Sequence, residues 1–102
     1  MNRSEYDIRL LRVAEDDLTE LVAYVVADRP SAADPIASKI EKHLVLLSKH
    51  PLRGRVPKEE DLARLGYRYL VVENYLIFYI VEGKTIFVHR ILHGARDYLR
   101  LF

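Results

Sequence analysis

Residues 6–10 alternate strictly, with Tyr6, Ile8 and Leu10 apolar and Asp7 and Arg9 between them, which is the two-residue period of a half-buried strand. The period then lengthens. Leu18, Leu21, Val22, Val25 and Val26 recur at the spacing of one helix face, and Glu15, Asp16 and Asp17 precede them where a helix dipole favours negative charge. The pattern predicts a helix from about Ala14 to Asp28, stopped by Pro30. A second helix begins near Ser31, with either Ser31–Asp34 or Asp34–Pro35 as its start signal. Its stripe is Ala33, Ala37, Ile40, Leu44 and Leu47, and it ends before Pro51. Two amphipathic helices joined this closely form an antiparallel hairpin.

Residues 51–66 are polar, with a turn at Arg53-Gly54-Arg55 and a short helix over Lys58 to Leu65. The last third reads as strands at 67–72, 75–81 and 85–92. Glu73-Asn74 has the length of a tight hairpin turn, and Glu82-Gly83-Lys84 makes the next. The second and third strands are almost wholly apolar, as strands inside a sheet are. The order β-α-α-β-β-β predicts an α+β domain, a helical hairpin packed on an antiparallel sheet whose last three strands form a meander and whose first strand joins an edge.

Length and composition narrow the classes. A chain of 102 residues is one domain, residues 1–102, and buries roughly two-thirds of its unfolded surface, so a core needs no staple. There is no cysteine, which excludes disulfides, thiolate metal sites and a cysteine nucleophile. No signal-peptide pattern opens the chain, and the longest apolar run, residues 75–81, is too short to span a bilayer. A reduced, cytoplasmic protein with no membrane partner is expected. The net charge of +1 conceals an asymmetry: residues 1–48 carry six Lys/Arg against nine Asp/Glu, and residues 49–102 carry ten against six. A basic second half suits a polyanion or an acidic partner, though scattered solvated charge gives the same count.

Chemistry concentrates in HRILHGARDY, residues 89–98. Strand alternation puts Ile86, Val88, Arg90 and Leu92 on one face and Phe87, His89, Ile91 and His93 on the other, so each face holds a polar intruder and the core face stays undecided. Arg90 needs a partner if it is buried, and Glu73 or Glu82 are candidates. Gly94 permits a sharp turn that presents His93, Arg96 and Tyr98 at the strand end, with Arg68, Arg53 and Arg55 approaching from the basic segment. Such a set suits metal-free RNA cleavage: His93 as acid or base, guanidinium groups on the phosphate. The plainer alternative is a surface ion pair Arg96–Asp97 and a turn histidine. No cofactor or metal is expected, since His89 and His93 lie about 13 Å apart at strand rise with no carboxylate fixed beside them. The four strand tyrosines, Tyr67, Tyr69, Tyr75 and Tyr79, could stack bases but suit packing as well.

The helical hairpin followed by GYRYLVVENYLIFYIVEGKTIFVHRILHGARDY resembles the RelE/ParE superfamily of bacterial type II toxins over nearly the whole chain. The resemblance implies a growth-inhibiting toxin, often serving plasmid stabilisation, held inactive by a cognate small antitoxin. It implies one of two targets: the ribosome and its mRNA, cut by RelE-like members, or DNA gyrase, inhibited by ParE-like ones. In the nuclease branch Arg96 matches a late arginine, Arg68 a basic position on the second strand, and His93 or Tyr98 the proton-transfer group. Leu76 stands where that branch places an arginine after a tyrosine such as Tyr75. NYLIFY and LHGARD look more ParE-like, so the gyrase branch is favoured, with catalytic residues recast as docking residues; an inactive antitoxin-binding relative is a third reading. Partner contacts are expected at Arg53, Arg55 and Arg90, and at Leu99, Leu101 and Phe102 of the apolar tail, which otherwise packs back on the domain.

Overall fold

The computed structural model describes residues 5–94 and Phe102. Strand β1 (Asp7–Leu10) leads into helix α1 (Arg12–Asp28); a 3-10 turn, Pro30–Ala32, joins it to α2 (Ala33–Lys49). Helix α3 (Glu60–Arg64) precedes β2 (Arg68–Val72), β3 (Tyr75–Glu82) and β4 (Thr85–His93). Helix α1 starts two residues earlier than the acidic run suggests, so only Glu15 of that run falls in the first turn. Neither long helix has a side-chain N-cap bond, so neither Ser31 nor Asp34 acts as the predicted cap. Packing therefore holds the pair, through Ala14 and Leu21 on α1 and Ala33, Ile36, Ile40 and Leu47 on α2. Val26 is 46% exposed and Ala37 is exposed, so the buried stripes are narrower than the periodicity drew them.

The sheet order is β1-β4-β3-β2, and β2, β3 and β4 form the expected antiparallel meander. The first strand does take an edge, but it pairs with β4 in parallel, Asp7 opposite Thr85 and Leu10 opposite Val88, so the sheet is mixed rather than antiparallel. Chain geometry gives the reason. Helix α1 climbs past the end of β4, and α2 returns the chain to where β1 began: the Tyr6 amide donates to Ser48 O, near the end of α2, at 2.8 Å. Lys39, midway along α2, meets Glu73 at the opposite end of the sheet at 2.6 Å. An out-and-back helix pair restarts the chain in its original direction; the three-strand meander then gives β4 the direction of β2, and hence of β1.

Both hairpins close through two residues, and each sets a positive φ at the first: Glu73 at 53° and Gly83 at 60°. For Glu73 this is a conformation that side chains disfavour, and the ion pair to Lys39 anchors it.

The undecided core face of the last strand is resolved by a β-bulge. Phe78 pairs with Arg90 but Tyr79 pairs with Val88, so His89 is an extra residue on β4. The alternation slips there. Ile86, Val88 and Ile91 all reach the core under the helices, together with Leu70, Val72, Ile77 and Tyr79. Leu92 instead joins Phe78 and Leu62 on the far face of the sheet, with Tyr67, Tyr69 and Leu76 packed against them.

Candidate functional site

Strand β4 outruns its neighbour. Pairing with β1 stops at Val88, and the next outward bond is from the Leu11 amide to Val88 O at 2.9 Å. Beyond that point the edge of β4 faces α1, and Asp17 takes the place of a strand. Its Oδ2 accepts from the Ile91 amide at 3.0 Å and from Arg90 Nε at 2.8 Å, while Oδ1 accepts from Arg90 Nη2 at 2.9 Å. The two side chains are only 15% and 11% exposed, so this is a nearly buried, two-pronged pair. The hydrogen bond to Asp17 raises the Arg90 pKa further, against the opposing effect of burial. The expected partners were different: Glu73 is occupied by Lys39, and Glu82 points its charge at His89. Asp17 was legible only as a helix-dipole residue, although it lies four residues before Leu21 and so on the margin of the apolar stripe.

Past this pair the strand end opens into a cleft of about 480 Å³ between α1 and the β2–β3 turn. Asp17, Glu20, Leu21 and Tyr24 line one side at i, i+3, i+4, i+7 spacing; Asn74, Tyr75, Ile91 and His93 line the other. The Tyr75 and His93 rings meet edge to face at 5.5 Å. The sequence pointed to His93, and to Tyr75 as a stacking or packing tyrosine, but not to Tyr24 and the helix face they would meet.

The basic residues gather elsewhere. Tyr79 is wholly buried, and its hydroxyl donates to Pro51 O at 2.8 Å and accepts from the Gly54 amide at 2.9 Å. Burial raises its pKa, with the Gly54 bond and the charges of Arg68 and Arg53 opposing. Arg68 Nη1 donates to Gly54 O at 3.0 Å and to Leu52 O at 3.3 Å. Arg55 exchanges both backbone bonds with Tyr69, at 2.8 and 2.9 Å, and so extends the β2 edge. Arg53, Arg55 and Arg68 are thus brought together around one loop rather than at the strand end, and Arg68 serves to hold that loop.

Arg68 and His93 are not brought together. Arg68 pairs with Tyr79 and His93 with Tyr75, four residues apart along β3 and about 13 Å at strand rise, with further separation across the sheet. Arg96, Tyr98, Leu99 and Leu101 lie outside the described residues. Phe102 packs edge-on against Tyr67 at 4.9 Å and Phe78 at 5.0 Å, and remains 42% exposed.

On the same far face, Tyr67 Oη lies 2.9 Å from His89 Nδ1. The roles in this bond follow the imidazole tautomer, since a phenol can donate to Nδ1 or accept from its N–H, and burial raises the Tyr67 pKa. Burial also lowers the His89 pKa below its ordinary 6.5, with Glu82 partly opposing. A histidine held neutral in the fold but free to charge when unfolded costs nothing above pH 6.5 and destabilises as pH falls below it. The melting temperature is therefore expected to drop between pH 7 and pH 5, and to drop less in His89→Gln. Equal slopes in thermal melts of the two proteins would remove His89 as the cause.

The helical hairpin packed on a four-stranded mixed sheet agrees with a toxin of the RelE/ParE superfamily, which a family match supports. Residues 8–98 match the family of the ParE toxin of type II toxin-antitoxin systems, parDE, and the chain belongs to that family. Its fold is similar to a chain of the chromosomal ParDE toxin-antitoxin system of P. aeruginosa, with a TM-score of 0.73 at 22% identity over 88% of this chain and 97% of that one. It is also similar to a chain of the toxin-antitoxin complex RelBE2 from Mycobacterium tuberculosis, with a TM-score of 0.59 at 24% identity over 87% and 98% of the two chains. No curated protein matches the sequence. Among the described residues, no helix is long and apolar enough to cross a membrane, and no cluster of three metal-ligating side chains forms.

Proposed function

We propose that this ParE-family toxin arrests growth by docking on DNA gyrase, is neutralised by a small antitoxin that binds the folded chain, and does not cut mRNA. The observation that carries this reading is Leu76. It packs with Leu62, Phe78 and Leu92 on the sheet face away from the helices, where a ribosome-dependent nuclease would present an arginine to its substrate. The second support is the distribution of cations. Arg68 is spent on loop carbonyls and Arg90 on Asp17, and neither stands beside His93. Phosphoryl transfer needs acid, base and guanidinium converging on one phosphate, and these described residues do not converge. Exposed Arg53 and Arg55 suit recognition and are proposed as docking residues, together with Arg96, which lies outside the described residues. The ParDE and RelBE2 relatives come from toxin-antitoxin systems, which supports an antitoxin as the natural partner.

The test is to express the chain without its antitoxin and to map new RNA 5′ ends within minutes, alongside a supercoiling assay of gyrase with purified protein. Intact messages, growth arrest and inhibited supercoiling are expected, with Arg96→Ala reducing arrest at least tenfold while the protein stays folded. Cuts within translated codons that vanish when translation is blocked would replace this reading with the nuclease one. Normal growth despite soluble protein would make the chain an inactive relative.

A further inference from the structure

We propose that the cleft between α1 and the sheet end receives an arginine side chain from the antitoxin, held by Glu20 between the rings of Tyr24 and Tyr75. The inference rests on the antitoxin reading above and adds the residue chemistry that the partner must supply.

The cleft has an apolar floor and polar walls. Leu21 and Ile91 are 7% and 3% exposed and form the floor. Tyr24, 73% exposed, lines the cleft from the helix side, and Tyr75 lines it from β3. Of the two carboxylates lining the cleft, Asp17 is already taken by Arg90 and the Ile91 amide. Glu20 is exposed and in no salt bridge among the described residues, its charge acting on Arg90 only through space. A floor for methylenes, two π-faces and one carboxylate together suit a guanidinium on an aliphatic stem, which stacks on rings and binds a carboxylate through two bonds. The volume of about 480 Å³ exceeds one side chain, so the arginine enters as the anchor of a longer segment.

Charge decides the class of partner. Helix α1 carries Glu15, Asp16, Asp17, Glu20 and Asp28 against the single cation Arg12, which lies 3.6 Å from Asp16. That surface repels a phosphate backbone and attracts a cationic peptide. Here the acidic face of α1 meets the antitoxin, apart from the basic loop at Arg53 and Arg55 that is proposed for the target.

The test has two arms. In the first, labelled protein is titrated with acetyl-arginine-methylamide, with its neutral isostere acetyl-citrulline-methylamide and with acetyl-glutamate-methylamide. Shifts at Glu20, Tyr24, Asn74 and Tyr75 are expected with arginine, at least fivefold weaker with citrulline and weakened by salt. Equal shifts with citrulline, or a preference for glutamate, overturn the anchor. In the second, wild type and Glu20→Gln are compared for binding to the small protein encoded beside this one. About tenfold weaker binding by Glu20→Gln supports the anchor; equal binding overturns it while the antitoxin reading stands. If wild type itself does not bind, the antitoxin reading falls, whatever the first arm shows.

Discussion

Asp17→Ala should lower the stability of the folded chain by about 3 kcal/mol, the low end for breaking a buried pair because a little of each side chain still reaches water. Two separate losses add. The Arg90 guanidinium loses its two-pronged carboxylate in a nearly buried site, and the Ile91 amide, at a sheet edge that β1 no longer covers, loses its acceptor. In a domain of this size the melting temperature should fall by roughly 15 °C. Urea denaturation of Asp17→Ala, Arg90→Met and the double variant would check the account. The double variant should recover much of the single loss, since it no longer buries a guanidinium deprived of the Asp17 carboxylate. If Asp17→Ala costs less than about 1 kcal/mol, the pair is a surface contact and the edge is held by something else.

Gly54→Ala is the second large effect, expected at about 2–3 kcal/mol. A Cβ at Gly54 would lie 2.5 Å from the Tyr79 hydroxyl and 2.7 and 2.9 Å from two of its ring carbons, and that ring is fully buried. Neither can yield cheaply. The loop must lift, and with it go the bonds from Tyr79 to Pro51 and from Arg68 to Gly54 and Leu52. Tyr79→Phe separates the contributions. It strands one amide and one carbonyl at about 1–3 kcal/mol but leaves Gly54 room. Adding Gly54→Ala to Tyr79→Phe should destabilise further, because the ring carbons remain in the way. A double variant no worse than Tyr79→Phe alone would show that the hydroxyl, rather than the ring, sets the constraint.

Much of the fold was written in periodicity: the two helices, the meander and the two-residue turn at Glu73-Asn74 follow from spacing that a reader can count, while the second turn proves one residue shorter because Glu82 stays in β3. The direction of β1 was not, because four alternating residues fit an edge equally well in either sense; the return of α2 to Tyr6 decides it. The core face of β4 was not legible either. Alternation assumes an unbroken pleat, and the extra residue His89 shifts phase within the strand, so Val88 and Ile91 share a core that strict counting puts on opposite faces. The site divides in the same way. His93 at the strand end and the clustering of Arg53, Arg55 and Arg68 could be anticipated from local sequence. The partner of Arg90 could not, since Asp17 is distant in the chain and was one of three adjacent acids with nothing local to single it out.

The parallel pairing of β1 with β4 has a consequence in time. Asp7 cannot meet Thr85 until nearly the whole chain exists, whereas both hairpins of the meander close between near neighbours. Loop-closure entropy opposes the distant pairing until the rest of the sheet is ready to receive it. During synthesis the first strand therefore waits for the last, and the cleft beside Asp17 and Ile91 takes shape only once β4 is in place. A nascent chain that stalls before that point would lack the surface proposed for the antitoxin, so under that reading neutralisation would begin only after β4 has been made.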